Sequence, residues 1–146
     1  MIDKIALKHA QKRRENMLSV HSDMNVRPGW IKYIRSILGL TLKELGRLSG
    51  LSTPGVADAE RRETEGKITI ENLSKLANAM ECEFVYGFIP KEDILELLKK
   101  KAMEKARKSI LEADLHMSLE DQKVKEDLEE RIERLAEKLL EKGKVW

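Results

Sequence analysis

The chain has little of what disulfide-rich, secreted or membrane-spanning proteins contain. Its 146 residues include one cysteine and three prolines. The single Cys82 excludes an intramolecular disulfide framework and a zinc site built from several thiolates. No apolar run approaches the roughly 18 residues that cross a bilayer, and the N-terminal residues contain no signal-peptide core. We therefore expect a cytoplasmic protein with no membrane partner.

Aromatic residues are also scarce, since the chain contains two Trp, two Tyr and two Phe. This composition argues against a β-sandwich or a barrel, which needs many aromatic and β-branched strand residues. Hydrophobic residues make up 41% of the sequence and charged residues 37%. An aliphatic core beneath heavily charged faces is typical of helical proteins, so we expect an all-α fold.

The charge of the chain is nearly balanced, with a formal net charge of +2. That value is too small to indicate a nucleic-acid partner by itself. The surplus lies at the start, because residues 1–27 carry six Lys or Arg against three Asp or Glu. A basic arm of this kind can lie along phosphates.

Three zones follow from the placement of apolar residues and chain breakers. Residues 1–27 form a predicted N-terminal helical arm that ends before the Pro28-Gly29 break. Residues 28–90 hold every proline and nearly all the glycines, as in a domain of short helices; we expect a five-helix DNA-binding unit here. Residues 91–146 contain apolar residues at helical spacing on two segments, which predicts a two-helix extension.

One segment favours a strand. Residues 83–89 (EFVYGFI) are rich in β-branched and aromatic residues and end at Pro90, so we predict one short strand. A lone strand is not stable by itself and has to pair. We therefore expect a homodimer, joined through Phe84–Ile89 or through the C-terminal helices.

The segment from Leu42 to Glu60 contains several coordinated placements. We expect Leu45 and Leu51 to be buried in the seam between two helices, and Val56 and Ala59 to turn the apolar face of the second helix inward. Gly46 lies where a second helix crosses closely, and Gly50 lies where a tight turn needs a left-handed backbone. Two helices joined in this way predict a helix-turn-helix, in preference to an ordinary pair of bundle helices.

Capping residues mark the helix starts in this part of the chain. Thr41 and Glu44 form a predicted capping box, and Ser52-Thr53-Pro54 opens the next helix with proline in its first turn. A further cap signal occupies residues 118–121 (SLED).

The same region resembles the Cro/repressor-type (XRE) helix-turn-helix family, in which Glu60-Arg61 matches the common end of the recognition helix. A narrower resemblance, to the mobile mystery protein A family, covers almost the whole chain. It rests on Gly29-Trp30-Ile31, Ile34-Arg35, Leu38-Gly39, residues 66–69, Cys82, Val85-Tyr86, residues 116–122 and Trp146. The resemblance implies a lambda-repressor-like domain and a gene beside that of a Fic-domain protein, in a toxin–antitoxin-like pair.

The recognition helix departs from the usual pattern, because Pro54 and Gly55 occupy positions where Gln, Arg, Asn or Lys commonly face base edges. Thr53 can reach a base or a phosphate, and Asp58 would repel phosphate or accept from a cytosine amine. Phosphate contacts by basic side chains then supply much of the affinity, with help from Arg13, Arg14 and Arg27. The predicted DNA contacts are Arg47, Ser52, Thr53, Gly55, Asp58, Arg61, Arg62 and Lys67.

The first helix carries a partial inhibitory pattern. Fic enzymes resemble one another in being silenced by a helix bearing Ser/Thr-x-x-x-Glu-Gly/Asn, whose Glu pairs an active-site arginine. Gln11, Glu15 and Asn16 match this pattern except that Gln11 replaces the hydroxyl residue. The resemblance assigns these residues to inhibition of the partner, while an ordinary helical Glu is the competing interpretation.

These observations lead to one functional hypothesis and one alternative. The hypothesis is a transcriptional regulator that binds double-stranded operator DNA and acts as the antitoxin-like partner of a Fic-domain protein. The alternative is a protein-interaction module that inhibits the partner without specific DNA binding. We expect no enzymatic activity, no catalytic residue, no metal site and no cofactor, since no nucleophile lies beside a base and no metal-ligand spacing is present.

Overall fold

The computed structural model describes residues 2–117 and 124–146. Within these ranges the chain forms seven α-helices and one 3₁₀ turn, with no β-strand. No helix in this part of the chain is long and apolar enough to cross a membrane. The helices are α1 (Lys4–Val20), α2 (Trp30–Ile37), α3 (Leu42–Ser49), α4 (Thr53–Thr64), α5 (Ile70–Ala79), α6 (Ile94–Met117) and α7 (Val124–Glu141), and the 3₁₀ turn is His21–Met24.

The chain separates into two compact units. One unit consists of Ser19–Phe88, and the other combines Met1–Leu18 with Ile89–Trp146. The first contains α2–α5, and the second contains α6 and α7 together with most of α1. The all-α prediction is therefore confirmed for the described residues.

The Ser19–Phe88 unit is built on one apolar core. Each of its four α-helices contributes at least one buried side chain, and partly buried residues such as Leu51 and Leu73 pack around them. The five-helix expectation was wrong, because the described residues after α5 form no further helix within this unit. The buried core residues are Ile31, Leu45, Val56, Ala59, Leu76 and Met80.

The predicted strand at residues 83–89 is also wrong, because this segment has no regular secondary structure. Val85, Tyr86 and Phe88 are exposed by 61%, 71% and 90%. Strand propensity reflects how well a side chain packs on a half-buried sheet surface. No strand forms elsewhere in the described ranges, so the β-branched and aromatic residues have no sheet to join.

The C-terminal helical pair is confirmed. Apolar residues at spacings of three and four on α6 and α7 meet in a second core, whose buried members are Ala102, Ala106, Ile110, Ile132, Ala136 and Val145. Arg107 pairs with Glu129 at 2.9 Å between the two helices. The predicted cap at residues 118–121 lies outside the described residues.

Helix α1 differs from these pairs because none of its residues is buried. Asp3 accepts hydrogen bonds from the Ile5 and Ala6 amides at 2.9 and 3.2 Å and so caps the helix start. The Arg14 Nε donates to the Pro90 carbonyl at 2.9 Å. The arm is therefore held to the start of the C-terminal segment by polar contacts.

Candidate nucleic-acid interface

The turn between α3 and α4 has the geometry that the glycines predicted. Gly50 ends α3 in the left-handed conformation, at φ 73°, and its amide donates to the Gly46 carbonyl. The Leu51 amide donates to the same carbonyl at 3.0 Å. A Cβ on Gly46 would lie 2.7 Å from the Leu51 carbonyl oxygen, so a larger residue there would force the two helices apart.

The starts of both helices are capped as predicted. The Thr41 hydroxyl accepts from the Glu44 amide at 3.1 Å, while the Glu44 carboxylate accepts from the Thr41 amide at 2.7 Å. The hydrogen bonds from Thr41 hold the pKa of the Glu44 carboxyl below its ordinary value. At α4 the Ser52 hydroxyl accepts from the Gly55 amide at 3.0 Å. These contacts define where each helix begins.

Helix α4 presents one face to solvent and one to the core. Val56 and Ala59 are buried, whereas Thr53, Pro54 and Ala57 are exposed. Ala57 was not among the predicted DNA contacts, although it lies four residues after Thr53, on the exposed side of the helix. A small apolar residue at such a position can contact a thymine methyl group.

Gly55 is less exposed to solvent than we expect for a residue that contacts DNA. Its backbone is half-buried, and a Cβ there would lie 2.9 Å from the Ser52 hydroxyl oxygen and 3.7 Å from Leu51 Cβ. Gly55 therefore permits close packing of the first turn of α4 against the preceding turn.

Residues 31–86 match the helix-turn-helix family. The matched segment contains the capped α3, the tight turn and the two-faced α4, and it covers nearly all of α2 and the whole of α5. Over this segment the chain is therefore similar to helix-turn-helix domains, a class of domain that binds DNA. No curated protein and no solved structure matches the chain.

Two carboxylates on α4 fix this helix against α2 in the helix-turn-helix domain. Glu60 accepts from the Arg35 Nε at 2.5 Å, with 13% and 15% of the two side chains exposed. Glu63 accepts from the backbone amides of Trp30 and Ile31 at 2.7 and 3.0 Å. Glu63 therefore caps the start of α2, where the backbone amides have no hydrogen-bond partner within the helix.

Sequence reasoning missed both anchoring roles. Glu60 was noted only for its resemblance to the end of a recognition helix, and Glu63 was not singled out. The partners lie 25 residues from Glu60 and 32 or 33 from Glu63. The structure also shows why position 29 is glycine: φ there is 104°, and a Cβ would lie 3.0 Å from a Glu63 oxygen.

The predicted phosphate-contacting cations of α4 are engaged in ion pairs on their own helix. Arg61 Nη2 lies 2.5 Å from Asp58 Oδ1, and Arg61 Nη1 lies 2.7 Å from Glu65 Oε1. Arg62 Nε lies 2.8 Å from Asp58 Oδ2. These side chains are about half-exposed, so the ion pairs are in contact with water. Each arginine can therefore leave its carboxylate for another anion at little energetic cost.

The ion pairs also affect the charge state of the carboxylates. The hydrogen bond from Arg61 lowers the pKa of Asp58, with the positive charge of Arg62 acting in the same direction. Hydrogen bonds from Arg61 and Lys67 lower the pKa of Glu65. Both carboxylates consequently stay ionised at neutral pH and offset part of the positive charge of this surface.

The remaining predicted contacts lie at the edges of the same domain. Arg47 is exposed in the last turn of α3, and Lys67 follows α4 with its Nζ 3.3 Å from Glu65 Oε2. Chemically, this surface offers four cations for phosphates, two hydroxyls (Ser52 and Thr53) and small apolar atoms for base edges.

The predicted inhibitory residues belong to α1, outside the segment that matches the helix-turn-helix family. Glu15 and Asn16 are exposed. Gln11 is half-buried, and its side-chain oxygen accepts from the Ile94 amide at 3.3 Å. In this sequence the first position of the pattern thus has a contact within the chain, and the Glu position faces solvent.

Metal-binding groups do not cluster in the described ranges. No three side chains of His, Cys, Asp or Glu lie where they could hold one ion. Cys82 is half-buried, and its thiol donates to the Met80 carbonyl at 3.4 Å.

Proposed function

We propose that this protein is a transcriptional regulator that binds operator DNA with α4 in the major groove. The observation that carries the proposal is the two-faced helix: Val56 and Ala59 are buried while Thr53 and Ala57 are exposed, directly after a tight turn. An exposed first turn of the second helix is the part that reaches base edges in helix-turn-helix proteins.

In this proposal most of the affinity comes from phosphates. Arg47, Arg61, Arg62 and Lys67 are exposed cations with long side chains, whereas the exposed first turn of α4 offers a single clear polar reader, Thr53. Contacts to phosphates set the position of a protein on DNA without reading its sequence. We therefore propose strong, salt-dependent binding with modest sequence discrimination.

The test uses the full chain and the DNA upstream of its own gene. Binding is measured by fluorescence anisotropy over a salt series, against a shuffled duplex of equal length and composition. We expect tighter binding to the upstream DNA and a steep fall of affinity with salt. Equal binding to both duplexes would refute the operator function, and no binding to either would refute DNA binding altogether.

We further propose that the protein is the antitoxin-like partner of a Fic-domain protein encoded beside it, and that α1 carries the contact. The support is the resemblance to the mobile mystery protein A family, together with the exposure of Glu15 and Asn16 on a helix that has no buried residue. A carboxylate that reaches an arginine in a water-shielded site forms a strong bidentate pair.

This part is tested by co-expression with the neighbouring gene product. Deletion of residues 1–20 is expected to abolish co-purification, while Glu15→Ala leaves the complex intact and releases nucleotidyl transfer by the partner. Glu137→Ala on α7 is the matched control and leaves both unchanged. Co-purification of the deletion variant would place the contact elsewhere, and a silent Glu15→Ala would contradict the role of that carboxylate.

A second candidate function is a protein-interaction module without specific DNA binding. It is favoured by the pairing of Arg61, Arg62 and Lys67 with Asp58 and Glu65, which reduces the charge available to phosphates. The comparison of the upstream and shuffled duplexes separates the two candidates, because a module of this kind shows no preference for the upstream DNA.

A further inference from the structure

The helix-turn-helix domain contains an apolar cavity of about 250 Å³. Its wall is formed by α2, α5 and the segment that follows α5. Engineered apolar cavities of about 150 Å³ hold benzene, so this cavity has room for a molecule with one aromatic ring and a small substituent. Its apolar lining includes Trp30, Ile31, Ile34, Leu73, Ala77 and Phe84.

Two charged residues line the cavity, and both are acidic. Glu63 lies on the α4 side and Glu83 on the segment after α5, and no Lys, Arg or His is found among the lining residues. Glu63 keeps acceptor capacity beyond the Trp30 and Ile31 amides, because an ionised carboxylate offers about four lone-pair sites. The charge of the cavity wall therefore favours a cation and disfavours an anion.

Aromatic rings form part of the same wall and are held in place. Trp30 donates through its Nε1 to the Met24 carbonyl at 3.1 Å and meets the Tyr33 ring edge-to-face, with centroids 5.9 Å apart. Phe84 stacks on Tyr86, also at 5.9 Å. Rings that are already ordered lose little freedom when a ligand binds, and aromatic faces attract quaternary ammonium groups.

We propose that this cavity is a binding site for a small hydrophobic organic cation, an aromatic amine or quaternary ammonium compound. The apolar and aromatic wall takes the hydrocarbon part, while Glu63 and Glu83 face its positive charge. The site stands on its own residues and does not depend on DNA binding or on a Fic-domain partner.

The test compares two probes of the same shape. Benzyltrimethylammonium carries the charge, and 2,2-dimethylpropylbenzene replaces its nitrogen by carbon. Titration of the full chain, followed by the fluorescence of Trp30, is expected to show about tenfold tighter binding of the cation. A Trp146→Phe background assigns the signal to Trp30. Equal or tighter binding of the neutral probe, or no binding of either, would overturn the proposal.

Substitutions then test whether the Glu83 carboxylate contacts the bound cation. Glu83 is exposed, so Glu83→Gln should keep the fold and weaken binding of the cation several-fold while leaving the neutral probe unaffected. Glu81→Gln changes the same charge on a residue that does not line the cavity, and should have no effect. Ala77→Leu fills the cavity and should abolish binding, with circular dichroism to check folding. Unchanged affinity in Glu83→Gln would contradict the proposed contact.

Discussion

Asp58 and Arg61 are paired within α4, with 2.5 Å between Oδ1 and Nη2, on the helix whose first turn is exposed to solvent. Asp58 also holds Arg62 through its second oxygen, at 2.8 Å. Asp58, itself a predicted DNA contact, thus holds two of the cations that would contact phosphates. In the proposed complex with DNA, a phosphate would replace the Asp58 carboxylate beside each arginine.

Replacing Arg61 and Arg62, the two arginines that pair with Asp58, should weaken binding to DNA of any sequence. In Arg61→Ala/Arg62→Ala, two phosphate contacts are lost, so the slope of log affinity against log salt should fall by about two. Fluorescence anisotropy on upstream and shuffled duplexes measures both quantities. Lys100→Ala/Lys108→Ala on α6 removes the same charge and serves as the control; unchanged binding by the Arg61/Arg62 variant would remove α4 from the DNA surface.

Asp58→Asn should have the opposite effect. The substitution removes one negative charge, frees Arg62 and leaves Arg61 paired with Glu65 alone, so affinity for DNA of any sequence should rise by roughly three- to tenfold at low salt. Glu137→Gln is the charge-matched control. A loss confined to the upstream duplex would instead show that Asp58 accepts from a base, and a uniform loss would contradict competition between Asp58 and phosphate.

The capping box at α3 predicts a pH dependence. Because the pKa of Glu44 lies below its ordinary value of 4.5, its contribution to stability is present above that value and is lost as the pH falls through the lowered pKa. Glu44→Gln should therefore destabilise the domain at pH 7 and have a smaller effect in acid. Urea unfolding followed by the amide resonances of α3 measures this difference. An equal effect at both pH values would contradict it.

Gly46→Ala should destabilise the domain because the added Cβ meets a backbone carbonyl 2.7 Å away. Overpacking of this kind costs about 1–3 kcal/mol, measured by urea unfolding of the Ser19–Phe88 unit. Gly55→Ala is the comparison, since its nearest neighbour is the movable Ser52 hydroxyl, and it should be closer to neutral. Equal costs for the two variants would show that the turn can open.

We predict a homodimer, with two candidate surfaces. One is the segment after α5, where Tyr86 and Phe88 are exposed, and the other is α6, where Leu111 and Leu115 are exposed. Light scattering at micromolar concentration should give twice the mass of the chain. Tyr86→Ser/Phe88→Ser and Leu111→Ser/Leu115→Ser then show which surface is used, and a monomeric wild-type protein would refute the prediction.

Local features of the helix-turn-helix could be predicted from the sequence. The capping box of Thr41 and Glu44, the left-handed Gly50 and the small Gly46 act over three to five residues, where spacing and residue type determine the geometry. The buried positions Leu45, Val56 and Ala59 follow from helical periodicity in the same way. The two-helix extension was predictable for the same reason.

Tertiary structure alone decided how α4 is held against α2. The bonds of Glu60 and Glu63 to α2 join residues that are distant in sequence, and neither type nor spacing reveals such a partner. The segment 83–89 has strand-forming residues, but a strand exists only where a second strand accepts its backbone hydrogen bonds. Sequence by itself determined where α3 and α4 begin and how the chain turns between them, because those interactions are local. The packing of distant segments decided that Glu60 pairs with Arg35, which cavity remains and that the predicted strand is absent from the described chain.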